Sequence, residues 1–127
     1  MPTAVTEGIR VTVESTYLAD RSAPEEGSYA FGYQVTIANE GPERVQLMRR
    51  HWIITDGNGR VEEVEGPGVV GQQPVLGPGA EHRYSSGAVL TTPVGTMEGT
   101  YELVADGGRV FKAGIPRFGL QVPGILH

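Results

Sequence analysis

Tyr29-Ala30-Phe31-Gly32-Tyr33-Gln34-Val35-Thr36-Ile37 is the stretch that decides the fold. Tyr29, Phe31, Tyr33, Val35 and Ile37 occupy every second position, with Gly32, Gln34 and Thr36 among the residues between. Successive side chains of a β-strand point to opposite faces, so this period predicts a half-buried strand. Upstream, Ile9, Val11, Val13 and Tyr17 alternate against Arg10, Thr12 and Glu14 in the same way. Downstream, Asn39-Glu40-Gly41-Pro42 reads as a turn.

Val45 and Leu47 start a third strand, but Trp52 and Ile54 continue it on the opposite parity. A phase flip of this kind predicts a β-bulge near Met48-Arg49-Arg50. Asp56-Gly57-Asn58-Gly59 is a hairpin turn signal, and Val61 and Val64 among Glu62, Glu63 and Glu65 predict a short strand with an acidic exposed face. Residues 66–79 read as an ordered loop holding a short strand. His82, Tyr84 and Ser86 alternate with Glu81, Arg83 and Ser85. After the turn Thr92-Pro93-Val94-Gly95, Met97, Gly99, Tyr101 and Leu103 share a face, and Asp106-Gly107-Gly108 leads into Val110–Ile115. Residues 116–127 read as a C-terminal tail. No segment carries a 3.6-residue apolar stripe, so the pattern predicts one antiparallel all-β sandwich over residues 1–127.

Composition agrees. The 127 residues suit one domain, and 19 glycines with 9 prolines favour turns and short strands over helices. The net charge of −5 opposes diffuse binding to nucleic acid or anionic lipid. Lys112 is the one lysine among 10 basic residues; arginine suits planar, bidentate anion contacts. With no cysteine, disulfides, thiolate metal sites and a cysteine nucleophile are excluded, which fits the cytoplasm. No apolar run approaches the roughly 20 residues of a membrane helix, and Met1–Glu7 carries no secretory signal pattern.

Gly66-Pro67-Gly68-Val69-Val70-Gly71 fits G-x-G-x-x-G, a spacing that can cradle pyrophosphate on backbone amides. A dinucleotide site also needs a helix N-terminus after the glycines, and Gln72-Gln73-Pro74 will not start one. Pro67 removes one donor, so the competing reading is a glycine-dependent turn closing the sandwich. Arg49, Arg50 and His51 form the dense basic cluster; on a strand Arg49 and His51 share a face and Arg50 points the other way. They read either as an anion clamp beside the glycine loop or as an exposed face with ion pairs to Glu62–Glu65.

His51, His82 and His127 lack the spacing of a local metal site, and His51 with Glu62 and Glu63 offers only loose oxygen and imidazole ligation for Mg²⁺ or Co²⁺. Ser85, Ser86 and His82 do not form a nucleophile motif. Trp52 reads as core, Tyr101 as a hydroxyl capping a strand-end corner, and Tyr29, Phe31 and Tyr33 as core rather than a base-stacking platform.

Several stretches in order resemble the ApaG family. They are Phe31–Ile37 with Asn39, then Val45-Gln46-Leu47-Met48-Arg49-Arg50-His51-Trp52-Ile53-Ile54-Thr55-Asp56, and Val64–Pro74 with its glycines. Tyr84-Ser85-Ser86-Gly87, Thr92–Tyr101 and Ile115-Pro116-Arg117-Phe118 complete the match. The resemblance implies a fibronectin-III-like or immunoglobulin-like sandwich in a bacterial cytoplasmic protein without an established enzymatic activity. It also implies an association with cobalt and magnesium efflux. Similar domains fused to F-box proteins and to a DNA-polymerase-delta-interacting protein imply, by analogy, a protein-binding module.

The expectation is therefore a non-enzymatic module that binds a protein partner through the Arg49–His51 strand and the Gly66–Pro74 loop. Its anion contacts would come from Arg49, Arg50, His51, Gly66, Gly68, Val69, Val70, Gly71 and Gln72. One alternative is a pyrophosphate or nucleotide ligand at Gly66–Gly71; a second is a divalent metal. The Val61–Val64 strand is either a protected edge of a monomer or the seam of a homodimer.

Overall fold

A computed structural model describes residues 1–124. The chain runs β1 (Thr3–Thr6), β2 (Ile9–Tyr17), two 3₁₀ turns at Ala19–Arg21 and Pro24–Glu26, β3 (Tyr29–Asn39), β4 (Val45–Asp56), β5 (Val61–Pro67), β6 (Val75–Leu76), β7 (Glu81–Leu90), β8 (Val94–Ala105) and β9 (Val110–Gln121). Two antiparallel sheets face each other, one ordered β1-β2-β3-β7 and the other β5-β4-β8-β9, with β6 paired to the start of β4. This is the antiparallel sandwich the alternation predicts, of the fibronectin-III-like or immunoglobulin-like kind the family resemblance implies.

The apolar positions of each strand meet between the sheets. Ile9, Val11, Val13, Phe31, Val35 and Ile37 from one sheet are fully buried against Leu47, Met97, Tyr101, Leu103 and Leu120 from the other. Trp52 is buried as expected, with Tyr33 at 5.3 Å and Phe118 at 5.9 Å between ring centroids, in edge-on packing that aromatic quadrupoles favour.

The predicted bulge is present. Leu47 pairs with Leu103 and Arg49 with Glu102, so Met48 is the additional residue on β4. It resets the phase: Leu47 faces the core before it, and Arg50 and Trp52 face inward after it. β1 adds a short strand that the alternation did not announce, because Thr3-Ala4-Val5-Thr6 carries one bulky apolar residue.

Three expectations require correction. Residues 116–127 are not simply a tail: β9 continues to Gln121, and Phe118 and Leu120 are core residues. Pro116 can sit there because Pro116 and Arg117 together oppose Glu98 in a second bulge, on a strand at the sheet edge. Tyr101 does not cap a strand end; it lies within β8, and its hydroxyl meets that of Tyr84 across the sandwich. The glycine segment also starts later than expected, since Gly66 and Pro67 still belong to β5. His127 lies outside the described residues.

Candidate functional site

The sandwich is closed along one side and open along the other. On the closed side β1 and β2 pack on β9, where the Gly114 amide donates to Thr6 Oγ1 at 3.1 Å and Ser15 Oγ donates to the Gly119 carbonyl at 3.0 Å. On the open side stand the outer strands β7 and β5, one from each sheet. Between them lies a cleft of about 440 Å³. Tyr33, Trp52 and Met97 line it from the core, Ile54 and Val64 from one wall, and Ser86 and Leu90 from the other.

Arg50 is the half-buried cation of this cleft. The Met48 bulge turns it inward, and Gly66 lies directly opposite across the β4–β5 ladder. A Cβ on Gly66 would stand 3.1 Å from Arg50 Nη1 and 3.2 Å from Nη2, so the absent side chain is what lets the guanidinium lie there. Arg50 Nη1 donates to the Pro67 carbonyl at 2.9 Å and the Gly68 carbonyl at 3.1 Å. None of the ion pairs among the described residues includes Arg50. Its remaining donors, on Nη2 and Nε, are not spent on a carboxylate.

The glycine segment has a different role from the cradle its spacing suggests. The Gly68 amide donates to the Met48 carbonyl at 2.9 Å, so the loop is tied to the bulge. Val69 and Gln72 exchange amide–carbonyl bonds of 2.8 and 3.0 Å around a tight turn at Val70-Gly71, where both residues have positive φ. Gly68 is required by space as well, since a Cβ there would come within 2.3 Å of the Gln72 carbonyl oxygen. The amides of Gly68, Val69 and Gln72 are thus spent inside the protein, and the segment offers carbonyls to Arg50. Val69 is buried core, and Val70 is exposed in a left-handed conformation that β-branched residues rarely adopt.

The other sequence candidates separate. Arg49 and His51 lie on the outer face of β4 beside Thr100, Glu102 and Lys112. His51 Nε2 is hydrogen-bonded to Glu63 Oε1 at 2.7 Å, and its Nδ1 lies 3.8 Å from Glu65, on an exposed polar face. Glu62 alternates to the cleft side, which parts it from His51 and Glu63. Among the described residues no three His, Asp or Glu side chains converge as a metal site. His82 sits on the opposite sheet, stacked on Tyr84 at 6.2 Å, and its buried Nε2 has no hydrogen-bond partner among the described residues.

Sequence reasoning missed the hydroxyl layer beneath Arg50. Burial pushes the Tyr33 hydroxyl above the ordinary tyrosine range, with Ser86 and Arg50 opposing. Burial likewise pushes Tyr84 and Tyr101 up strongly, so all three stay protonated donors at neutral pH. Inward parity of Tyr33 and Tyr84 was legible, but their meeting with Arg50 depends on how two sheets stack, which strand periodicity does not encode.

Comparison with known proteins agrees with this architecture. Residues 19–105 match the ApaG domain. Protein ApaG of Pseudomonas fluorescens (strain Pf0-1) is 57% identical over 119 residues, covering 94% of either chain. Protein ApaG of Pseudomonas aeruginosa (strain LESB58) is 54% identical over the same length and coverage. A crystal structure of an ApaA protein from Bordetella pertussis superposes with a TM-score of 0.89 at 45% identity, covering 98% of each chain. The chain belongs to the ApaG domain family. No described helix is long and apolar enough to cross a membrane.

Proposed function

We propose that this ApaG-family chain is a binding domain that acts without catalysis, and that it anchors a carboxylate of a protein partner on Arg50 in the open cleft. The observation that carries the reading is the half-buried guanidinium, fixed by two carbonyls and lacking an acidic partner among the described residues. A charged group drawn from water without its counter-charge is costly, and an incoming carboxylate offsets that cost with charge-assisted bonds. Each such bond contributes roughly 1.5–3 kcal/mol. Tyr33 and Ser86 add hydroxyls at the same wall, and Ile54, Val64 and Leu90 supply an apolar surround. This keeps the expected Arg50 and Gly66 and moves the binding surface from the outer face of β4 to the inner one.

The test is an amide and guanidinium NMR titration with succinate, which presents carboxylates without a peptide. Shifts should centre on the Arg50 Nε–H and on the Gly66 and Ser86 amides, and Arg50→Gln should remove them. Shifts confined to residues 68–72 and unchanged in Arg50→Gln would overturn the reading in favour of the glycine turn.

A further inference from the structure

The C-terminal half of β7, beyond the paired charges Glu81 and Arg83, is an unguarded edge. A strand at the rim of a sheet leaves alternate N–H and C=O groups unpaired, and proteins blunt such rims with charge, proline, bulges or short length. The other rims of this sandwich carry those devices. β1 is 4 residues long. β5 carries Glu62, Glu63, Glu65 and Pro67. β9 has Pro116 in a bulge, flanked by Lys112 and Arg117. Among the described residues β7 pairs only with β3, without a register break from Ala38↔Glu81 to Tyr29↔Leu90. Its Ser85-Ser86-Gly87-Ala88-Val89-Leu90 half has neither charge nor proline. Val89 on this strand is 68% exposed.

We infer that β7 receives an extended segment of a partner protein as an added strand, with an acidic side chain opposite Ser86 that reaches Arg50. The inference rests on the Arg50 reading above and gives it a binding mode. Main-chain bonds to the free rim supply affinity, and alternate side chains of the added strand enter the cleft. Their chemistry follows from what they meet. Near Ser86 stand Arg50 and the Tyr33 hydroxyl, which select a carboxylate. The next inward position toward Leu90 is Ala88, and the same cleft is lined by Ile54, Val64 and Met97, which suit an aliphatic residue, beside the charged Asp56, Arg60 and Glu62. The segment therefore carries an Asp or Glu with a Val, Ile or Leu two residues from it. A second copy pairing through its own β7 does not meet this requirement. The inward residues of that strand are His82, Tyr84, Ser86, Ala88 and Leu90, and none is acidic.

The probe is the capped nonapeptide Thr-Thr-Val-Thr-Asp-Thr-Val-Thr-Thr, followed by NMR titration and amide hydrogen exchange on the full chain. Three comparisons accompany it: an Asn-for-Asp peptide, a peptide N-methylated on alternate amides in either phase, and the protein variant Arg50→Gln. The expected result is protection of alternate amides between 85 and 90. One N-methyl phase should weaken binding at least about tenfold, a loss of ~1.4 kcal/mol. The Asn peptide and Arg50→Gln should each weaken it by about the same factor.

Asp- and Arg50-dependent binding that ignores N-methylation and leaves β7 unprotected overturns strand addition while sparing the Arg50 anchor. Protection of β7 by Asp and Asn peptides alike overturns the acidic specificity while sparing the docking edge. A concentration-dependent dimer that protects β7 without peptide makes a second copy the occupant and overturns the inference. No response of β7 to millimolar peptide overturns it as well.

Discussion

The two long edges of the sandwich use the same strand chemistry to opposite ends. Along the closed edge, β9 packs on β2 and buries its Phe118 and Leu120 in the core, and Thr6 and Ser15 supply hydroxyl bonds across the seam. Along the open edge, β7 and β5 leave room for Arg50, Tyr33 and Ser86 at the bottom of a cleft. The difference shows where stability resides. Residues on the closed edge hold the sheets together. Many on the open edge contact water on one side, so they can serve recognition at little structural cost.

The sharpest way to break this contrast is Phe118→Ala. Truncating a large buried aromatic costs about 3–5 kcal/mol, and denaturant unfolding of the variant measures it. A loss below ~1 kcal/mol would mean that β9 does not close the sandwich, since such a cavity normally costs several times more. The hydroxyl layer under the cleft gives the next effect. Tyr33, Tyr84 and Tyr101 have folded-state pKa values raised by burial. Their stabilisation is complete below the unfolded tyrosine value of about 10. It is lost as pH rises through the higher folded values, by at most about 1.4 kcal/mol per pH unit per tyrosine. Urea unfolding across alkaline pH should show this decline, and Tyr84→Phe should make it shallower. The smallest effect belongs to the open rim itself: Val89→Ser should change stability by less than about 0.5 kcal/mol. A larger loss in the same unfolding assay would show that the rim contributes to the core after all.

The parts that were legible in the sequence were those fixed by period and punctuation. Tyr29–Ile37 and Ile9–Val13 revealed their buried faces by strict alternation. The change of parity between Leu47 and Trp52 located a bulge to within a residue. Arg49 and His51 were correctly separated from Arg50 by the same alternation. Residues 116–121 were obscured because Pro116 lacks an amide and reads as the end of a strand, although a bulge at a rim accommodates it. The glycine segment was ambiguous for another reason. Its spacing suits a phosphate cradle or a tight turn, and only the destinations of the Gly68, Val69 and Gln72 amides distinguish the two. The cleft was illegible, since it arises from the separation of β7 and β5, strands from different sheets.

The extra residue at Met48 has an evolutionary consequence. Pairing β4 straight through Met48, with no bulge, would give the rest of the strand the opposite parity, presenting Arg49 and His51 to the interior and Arg50 to solvent. Trp52 would leave the core with it. One residue gained or lost between Arg50 and Trp52 would likewise turn Trp52 outward, so indels in aligned relatives should avoid that part of β4.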